Sequence, residues 1–344
     1  MPSTARALLA DATERLRRAG VPSPEVDAEL LLAHVSGQPR AIVRMAGDVP
    51  GVHVATFEEL VTRRAARIPL QHLTGRAPFR YLELSVGPGV FVPRPETELA
   101  VDLVRAHLAG PEFTERPDGG LLLVDRCTGS GALALSLATE LGTWWAHAGR
   151  ATVRRHRRPA TRVVAVEMSP EALGWAARNV TGHAEALAAA DSEVELIAAD
   201  ATTAADPGGP LAGLRGRVHV VVTNPPYVPD TAVPRDPEVR EHDPALALFG
   251  GPDGLHVIRG LVRQAAALLH PGGLLVIEHA DVQGEDAGPH GVPGLLRAQR
   301  DPSDGRPPWR DVHDHLDLTG LPRFTSALRC GPERSGATPS VPKP

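Results

Sequence analysis

The stretch "LLLVDRCTGSGALALSLA", residues 121–138, indicates how the central part of this chain folds. It begins with an apolar run that ends at Asp125, passes through a turn containing Gly129 and Gly131, and continues as an apolar helical segment. A strand, a glycine turn and a helix in this order are typical of a parallel sheet that binds a nucleotide-like ligand beside backbone amides. An ordinary strand-to-helix turn has the same pattern, so the interpretation depends on the surrounding sequence.

Apolar strand-like runs alternate with helical segments from residue 120 onward. The runs are "LLLVD", "RVVAVE", "VELIAAD", "VHVVVT" and "GGLLVIEH", and the helical segments include "PEALGWAARNV" and "LHVIRGLVRQAAALL". This alternation predicts an α/β domain with a mainly parallel sheet and helices on both faces.

Acidic residues end three of these strands in chain order, at Asp125, Glu167 and Asp200. Glu167 is placed where an acidic residue accepts hydrogen bonds from ribose hydroxyls, and Asp200 is placed near an adenine amino group. A single acidic residue at a strand end is more often a helix cap. The ordered set predicts a nucleoside site.

The fourth strand ends in "VVTNPPYVP", residues 221–229. The carboxamide oxygen of Asn224 and the carbonyl of Pro225 can accept both hydrogens of a planar NH2 group, while Tyr227 packs against its flat face. An amide nitrogen is a poor nucleophile, so catalysis would depend on positioning, desolvation and hydrogen bonding as positive charge develops. We therefore predict Asn224, Pro225 and Tyr227 as catalytic residues, with a rigid loop leaving the sheet as the alternative.

The N-terminal segment is predicted to be helical up to about residue 68. Apolar residues recur there at helical spacing, the stretch "SPEVDAELLLAHVSG" begins with a Ser cap and a Pro, and Thr56 with Glu59 matches a capping box. Three short helices in a small bundle are expected. The following stretch "YLELSVGPGVFV", residues 81–92, predicts a β-hairpin that turns at Gly87–Gly89 and links two domains.

Composition excludes several classes of protein. The 344 residues are 42% hydrophobic, enough for one large core and a smaller accessory domain. Charges interrupt the apolar runs, so we expect neither a membrane span nor a signal peptide, and a cytoplasmic location. Cys127 and Cys330 match no disulfide framework or zinc pattern, so no metal is expected. The net charge of −5 argues against general nucleic-acid binding.

The motifs together resemble those of the protein N5-glutamine methyltransferases that modify the Gly-Gly-Gln glutamine of peptide chain release factors. The resemblance covers roughly residues 5–283 and part of the C-terminus. It is carried by "PLQHLTGRAPF", "FVPRPETE", "TGSGALALSLA", "TNPPYVP", "EVREHDPALALFGGPDGL", "PGGLLVIEH" with Gln283, and "DLTGLPRF". The Asn-Pro-Pro-Tyr motif alone is also compatible with DNA adenine and RNA guanine amino-methyltransferases. The motifs "PRPETE" and "GGPDGL" favour the glutamine methyltransferases over these two classes.

The resemblance implies a Rossmann-like class I methyltransferase domain, a small N-terminal helical bundle, a linking β-hairpin, and S-adenosyl-L-methionine as cofactor. The residues that it implies around the cofactor are Asp125, Cys127, Thr128, Gly129, Ser130, Gly131, Glu167, Asp200, Ala201 and Asn224. Those that it implies around the substrate are Phe91, Pro93, Arg94, Glu96, Asn224, Pro225, Pro226 and Tyr227.

Four segments are expected on this basis. They are a helical substrate-recognition domain over 1–78, a hairpin linker with the PRPETE segment over 79–115, a methyltransferase domain over 116–330, and a disordered tail over 331–344. Residues 284–308 are rich in Gly, Pro and polar residues and predict a long loop. A monomer is expected.

The sequence departs from the family pattern in the glycine-rich turn, where Arg126 and Cys127 replace a small apolar residue and a glycine. If Cys127 adopts a positive φ, its Cβ costs about 1 kcal/mol of strain and crowds the methionine moiety. We interpret Cys127 as a passive replacement for glycine, not as a nucleophile. The cluster "RATVRRHRRPAT", residues 150–161, is interpreted as a solvated loop, and Trp144 with Trp145 as packing residues.

Three functions remain compatible with these patterns. The leading one is methyl transfer from S-adenosylmethionine to a glutamine amide nitrogen of a protein, a release factor being the expected substrate. The second is a diverged enzyme acting on an amine or amide of a small metabolite or a nucleic acid. The third, motivated by Arg126 and Cys127, is a scaffold that no longer transfers methyl groups and binds a partner or orients an amine for another reaction.

Overall fold

The computed structural model describes residues 3–110, 113, 120–147 and 161–331. The chain divides into two compact units. The first unit contains Met1–Pro78, Glu83–Val92 and Ala232–Ala245, and the second contains Phe79–Leu82, Pro93–Thr231 and Leu246–Pro344. The basic cluster 150–161, apart from Thr161, the tail from residue 332, and the side chains of Trp144 and Trp145 lie outside the described residues.

The strands, in chain order, are β1 Ser3–Thr4, β2 Asp48–Val49, β3 Arg76–Phe79, β4 Leu82–Ser85, β5 Leu121–Arg126, β6 Thr161–Glu167, β7 Ser192–Ala198, β8 Val218–Thr223, β9 Leu269–Glu278, β10 Trp309–Leu316 and β11 Pro322–Arg329. The α-helices are α1 Ala5–Arg18, α2 Pro24–Ser36, α3 Arg40–Val43, α4 Gly51–Ala65, α5 Leu70–Thr74, α6 Leu99–Ala109, α7 Ala132–His147, α8 Pro170–Gly182, α9 Ala184–Ala189, α10 Pro237–His242, α11 Ala245–Leu248, α12 His256–Leu268 and α13 Val292–Ala298. Short 3-10 helices span Pro95–Glu98, Ala212–Leu214, Asp281–Gln283 and Glu285–His290.

The first unit is a helical bundle, as predicted, but its helices differ from the expected three. Helices α1 to α5 surround a core that includes Leu16, Leu31 and Phe57, all fully buried. The predicted capping box is wrong because α4 already begins at Gly51. Thr56 lies inside that helix, where its hydroxyl donates to the carbonyl of Val52.

Ion pairs join the separate segment that carries α10 to the rest of the first unit. The guanidinium of Arg64 is buried and binds Asp27 at 2.7 Å and Glu238 at 2.8 Å, and Arg67 also binds Glu238. Burial alone would raise the pKa of Glu238, but hydrogen bonds from Arg67 and Arg64 lower it to about 2. The negative charge of Glu238 therefore stabilises the folded first unit.

A β-hairpin is present, but its turn differs from the predicted one. Strands β3 and β4 form a two-stranded sheet and are joined at Arg80 and Tyr81, ahead of Gly87–Gly89. Arg80 has a φ of 51° at this tight turn. Its guanidinium forms ion pairs with Asp102 and Glu140, which raise its pKa and fix the turn. The predicted second strand at Val90–Val92 is wrong, since no strand is formed there.

The second unit contains a seven-stranded sheet in the order β10-β11-β9-β8-β5-β6-β7. Strands β5 to β9 pair in parallel, while β11 is antiparallel to both β9 and β10. The prediction of a Rossmann-like α/β domain is confirmed. Strands covered on both faces have no solvent side, so they contribute buried β-branched residues to the core, among them Val124, Val164, Val221 and Ile277.

The chain reverses its direction of travel across the sheet at β5. It adds β6 and β7 on one side of β5 and then returns to place β8 on the other side. Arg126 lies opposite Thr223 in the β5–β8 pair, and the Thr223 hydroxyl donates to the Arg126 carbonyl at 2.6 Å. Loops that leave two such neighbouring strands in opposite directions open a crevice, where α/β proteins bind their ligands.

The predicted loop at 284–308 is partly wrong. A 3-10 helix at Glu285–His290 and helix α13 fill its first half. Val292 and Leu296 of α13 are fully buried in the core of the second unit, which outweighs the local preference of nearby glycines and prolines for a loop. Among the described residues, no helix is long and apolar enough to cross a membrane.

The ion pairs of Glu238 give a stability prediction. We expect Glu238→Gln to lower the free energy of unfolding of the first unit by about 2 kcal/mol, because Arg64 is left with a buried, partly unpaired charge. The lowered pKa of Glu238 means that its contribution is complete above about pH 4.5 and is lost as the pH falls towards about 2. Urea denaturation at pH 6 and pH 3 should therefore show a smaller difference between variant and wild type at the lower pH.

The matched control is Glu241→Gln, because Glu241 is exposed and pairs only with exposed Arg240 among the described residues. It should change the free energy of unfolding by less than about 0.5 kcal/mol at either pH. Equal losses in the two variants would show that Glu238 has no special structural role.

Candidate active site

The residues predicted at the strand ends meet at the carboxyl edge of the sheet in the second unit. The glycine-rich turn 127–131 follows β5, Glu167 ends β6, Asp200 follows β7, and 224–227 follow β8. Parallel strands present their carboxyl ends at one edge, so these loops are neighbours although they are far apart in sequence.

The glycine-rich turn has the backbone that the sequence suggested. Cys127, Gly129 and Gly131 have φ values of 60°, 57° and 84°. The strain anticipated at Cys127 is therefore present, because a Cβ is disfavoured at this φ by about 1 kcal/mol or more. A Cβ added to Gly129 would meet no atom within 4 Å, so open space lies beside the turn.

Asp125 connects the turn to helix α7. It is fully buried, and its Oδ2 accepts hydrogen bonds from the Thr128 hydroxyl and from the backbone N–H of Ala134, the latter at 3.1 Å. Burial raises the pKa of Asp125 to about 7, and these two hydrogen bonds oppose the rise. Its described hydrogen bonds hold the turn in place, so Asp125 would act on a ligand through the turn.

Glu167 spans the gap between β6 and the turn. Its Oε2 accepts from the N–H of Gly129 at 2.9 Å, and its Oε1 accepts from the N–H groups of Met168 and Ser169 at 2.9 Å. These bonds fix the carboxylate at the mouth of the turn. A carboxylate in this position can also accept hydrogen bonds from ligand hydroxyls, because each oxygen has two lone pairs.

Asp200 is exposed at the end of β7. Its Oδ1 accepts from the N–H and hydroxyl of Thr202, both at 2.7 Å, while Oδ2 makes no hydrogen bond to the part of the chain that the structure describes. Asp200 thus caps its own loop and keeps one oxygen available to a ligand. Ala201 beside it is buried in the core.

Asn224 is held by one end of its carboxamide. Its Nδ2 donates to the hydroxyl oxygen of Thr97 at 3.1 Å, and its Oδ1 accepts no hydrogen bond from any described residue. Thr97 is buried and lies in the 3-10 helix Pro95–Glu98. The acceptor end of Asn224 is therefore available to a substrate.

The loop after Asn224 is rigidly supported. Pro225 and Pro226 are buried, and Val228 forms a β-bridge with Phe249. The Gln283 amide donates to the carbonyl of Tyr227 at 3.1 Å. Gly254 packs so closely against Tyr227 that a Cβ at this position would lie 2.2 Å from the same carbonyl oxygen. This contact explains why the last glycine of "GGPDGL" is a glycine.

The remaining predicted substrate residues divide between the units. Phe91 belongs to the first unit, whereas Pro93, Arg94 and Glu96 belong to the second. Arg94 acts electrostatically on Tyr227, lowering its pKa, although burial raises that pKa overall. Glu96 acts on Glu278 and raises its pKa.

Sequence reasoning missed Glu278 and Thr97. Glu278 ends β9, is 2% exposed, and receives a long hydrogen bond of 3.4 Å from the Tyr227 hydroxyl. Burial raises its pKa to about 7, and hydrogen bonding by Thr97 and the charge of Arg323 oppose the rise. The signal was an acidic residue at the end of a further buried strand, the same signal that identified Glu167.

Cys127 and Arg126 do not form a reactive site. Burial raises the pKa of the Cys127 thiol to about 12, so the thiolate is not formed near neutral pH. Arg126 is fully buried and donates from Nη1 to the carbonyl of Leu261 in α12 at 2.9 Å, while Nε and Nη2 have no hydrogen-bond partner among the described residues. Burial lowers its pKa to about 10, which leaves it charged.

The hydrogen-bonding groups at the carboxyl ends of these strands fit a nucleoside cofactor. Glu167 and Asp200 present carboxylate oxygens at the ends of successive strands, and open space lies beside Gly129. In the described part of the chain, no group of His, Cys, Asp and Glu is placed to hold a metal ion. The arrangement can therefore bind a nucleoside beside the loop that carries Asn224.

The chain is similar to curated proteins named release factor glutamine methyltransferase. The protein from Streptomyces coelicolor is 45% identical over 329 residues, which cover 94% of this chain and 98% of that protein. The proteins from Mycolicibacterium smegmatis and Deinococcus radiodurans are 43% and 39% identical, and cover 94% and 95% of this chain and 97% and 99% of their own lengths. The sequence profile of the PrmC N-terminal domain matches residues 7–75.

The strained turn gives a second prediction. We expect Cys127→Gly to raise the free energy of unfolding by about 0.5 to 1 kcal/mol, because relief of the positive-φ strain exceeds the added entropy of the unfolded chain. Cys127→Ala keeps the Cβ and the strain, so it should show no gain. Urea denaturation of both variants measures the difference, and equal stability of the two would mean that the Cβ is accommodated without strain.

Proposed function

The chain belongs to the release factor glutamine methyltransferase family, and we infer that it transfers a methyl group from S-adenosylmethionine to the side-chain amide nitrogen of a glutamine in a peptide chain release factor. The expected methyl acceptor is the glutamine of the Gly-Gly-Gln motif. The observation that carries this proposal is the fixed carboxamide of Asn224, whose donor end is bound by Thr97 and whose acceptor end is not used by the described residues.

Residues at three strand ends would hold the cofactor. Glu167 would accept hydrogen bonds from the ribose hydroxyls, Asp200 would accept one from the adenine, and the turn 127–131 would lie against the methionine part. Bound S-adenosylmethionine supplies an electrophilic methyl carbon on a positively charged sulfur. Cys127 adds a side chain to this part of the pocket, where its neutral thiol brings no charge.

The loop after β8 would orient the nucleophile. The Oδ1 of Asn224 and the carbonyl of Pro225 would accept the two N–H groups of the substrate amide and direct its nitrogen at the methyl carbon. As the new N–C bond forms, positive charge develops on that nitrogen, and the same two oxygens stabilise it more strongly than they stabilise the neutral amide. The bond between the methyl carbon and the cofactor sulfur would break as the N–C bond forms, leaving a neutral thioether, and the nitrogen would then lose one of its protons to water to give the methylated amide. Tyr227 would support the flat face of the amide.

The alternatives considered from sequence are less well supported. Named relatives with 39 to 45% identity span nearly the whole chain, which disfavours a metabolite or nucleic-acid substrate. Arg126, which together with Cys127 motivated the scaffold without activity, directs its guanidinium to the backbone of α12 and away from the turn. We propose further that residues 1–78 recognise the release factor, and that the protein acts as a cytoplasmic monomer.

A pair of Asn224 variants tests the function. We expect Asn224→Ala to lower the single-turnover rate at least about 100-fold, equivalent to roughly 3 kcal/mol at the transition state, because a positioning contact is lost. Asn224→Asp keeps an acceptor oxygen and should retain more activity. The measurement is transfer of labelled methyl to the Gly-Gly-Gln peptide of a release factor, with circular dichroism to confirm folding.

Two outcomes would contradict the proposal. Absence of label from the release factor, where a related enzyme labels it under the same conditions, would remove the substrate assignment. A rate for Asn224→Ala close to that of the wild type would show that Asn-Pro-Pro-Tyr is only a rigid turn in this chain.

A further inference from the structure

An exposed apolar turn joins β10 to β11 in the second unit, and the methyl-transfer chemistry described above does not use it. It lies in the motif "DLTGLPRF" and the residue before it. Three leucines of this turn, which we call the leucine turn, are exposed by 59%, 92% and 44%: Leu316, Leu318 and Leu321. Single exposed leucines are common on protein surfaces, but several in one short turn are typical of an interaction site.

Asp317 holds the backbone of the leucine turn. Its Oδ1 accepts hydrogen bonds from the N–H of Thr319 at 2.8 Å, from the Thr319 hydroxyl at 2.5 Å and from the N–H of Leu321 at 3.2 Å. Its Oδ2 accepts from Nε of Arg323 at 3.2 Å, and Gly320 allows the turn to close with a φ of 81°. The leucines are therefore presented to water by a fixed backbone, so a partner that binds them loses little free energy in ordering the turn.

The strand order places the leucine turn at the edge of the sheet that carries the predicted site. Strand β11 lies next to β9, and β9 lies next to β8. Phe324 of β11 lies opposite Glu278, which ends β9, so the turn that precedes β11 projects beyond the carboxyl edge. The start of β11 is two strand spacings, about 10 Å, from the end of β8. A protein chain covers such a distance with about three extended residues.

The segment 282–284 connects the leucine turn with the loop that carries Asn224. The amide of Gln283 donates to the carbonyl of Tyr227 at 3.1 Å. On its other side, Gly284 packs so closely on the start of β11 that a Cβ there would lie 2.6 Å from the Cβ of Pro322. Val282 in this segment is a further exposed apolar residue. The surface from Tyr227 to the leucine turn is therefore continuous within the second unit.

We propose that the leucine turn is a docking surface for the release factor, on which an apolar face of the folded substrate beside its acceptor glutamine packs against Leu318 and Leu321. This inference rests on the proposed function and adds to it a site outside the reacting groups. A glutamine side chain is common to most proteins, so contacts to the amide alone cannot select one protein. Gly-Gly-Gln itself has no apolar side chain, so the residues that contact the leucines belong to the surrounding fold of the release factor.

A second copy of this chain fits the leucine turn less well than a release factor does. A stable interface buries about 800 Å² on each partner, and three leucines and a valine supply only part of that area. A dimer formed through the turn alone would therefore be weak. A release factor that places its glutamine at Asn224 also covers the loop beside Tyr227, and so adds the area that the turn lacks.

Two serine variants test the docking surface. We expect Leu318→Ser and Leu321→Ser each to raise the KM for intact release factor about tenfold, and to raise the Kd of the complex with release factor by a similar factor, because a buried apolar contact is lost. The single-turnover rate at saturating release factor should not change, since the turn touches no reacting atom. Leu318→Met keeps an apolar side chain and should stay within about twofold of the wild type.

Tyr81→Ser is the matched control, because Tyr81 is 82% exposed and lies outside the site. Its neighbour Arg80 binds Glu140, which is about 12 Å along α7 from the first residue of that helix, so Tyr81 lies away from the carboxyl edge. This variant should leave the Kd for release factor unchanged. Circular dichroism and calorimetric titration with S-adenosylmethionine show whether each variant keeps its fold and its cofactor site.

The outcomes distinguish failure of this inference from failure of the proposed function. A wild type that neither binds nor labels release factor would overturn the proposed function and the docking surface with it. An active wild type whose KM and Kd are unchanged in the folded double variant Leu318→Ser with Leu321→Ser, or are raised equally by Tyr81→Ser, would overturn the docking surface alone. Sedimentation of the wild type as a dimer that Leu318→Ser dissociates would assign the turn to a second copy of the chain and would also overturn it.

Discussion

Parallel pairing of β5 with β8 brings together two strand ends that are distant in the sequence. Arg126 and Thr223 are 97 positions apart, yet their backbones are adjacent and joined by a hydrogen bond of 2.6 Å. The glycine-rich turn begins after one of these residues and the Asn-Pro-Pro-Tyr loop begins after the other. The places where these two loops leave the sheet are thus one strand spacing apart, about 4.8 Å. Any change that weakened this pairing would alter both places together.

Several ionisable side chains are buried near this edge of the sheet. They differ in their pKa shifts and in the residues that they contact. Asp125 and Glu278 are both buried, with pKa values raised to about 7, and each touches residues that shape the site. Arg126 is buried as well, but its one hydrogen bond to a described residue goes to the backbone of α12. Burying a guanidinium with two unpaired nitrogens costs free energy that a small apolar residue would not. No described contact of Arg126 explains a compensating gain.

The sequence predicted features that depend on local pattern and strand order, and it failed where tertiary packing decides. The acidic residues at strand ends and the positive φ of Cys127 followed from the parallel arrangement and from the glycine-rich pattern. The position of the hairpin turn was not predicted, because Arg80 adopts an unfavourable φ that is supported by contacts with Glu98, Asp102 and Glu140. Helix α13 was missed because its one proline and one glycine, together with those that precede it, obscured the two core residues Val292 and Leu296.

Thr97 was missed for a similar reason. Its contact with Asn224 spans 127 positions, and no periodicity or spacing in the sequence connects a threonine in "PRPETE" with an asparagine after β8. Glu278 carried a local signal, since it ends a buried strand, but its raised pKa depends on burial and on neighbours from three other segments. Such contacts can be read only once the topology has brought the segments together.

The close approach of Gly254 to the Tyr227 carbonyl has a consequence for protein engineering. The Asn-Pro-Pro-Tyr loop and the "GGPDGL" segment interlock through this glycine, through the Gln283 amide and through the bridge between Val228 and Phe249. Transplanting the tetrapeptide alone into another sheet would therefore supply the same side chains without the neighbouring contacts that fix their positions. The transferable module is the pair of loops together with the glutamine that fastens them, and swaps of acceptor preference between related enzymes should exchange all three pieces at once.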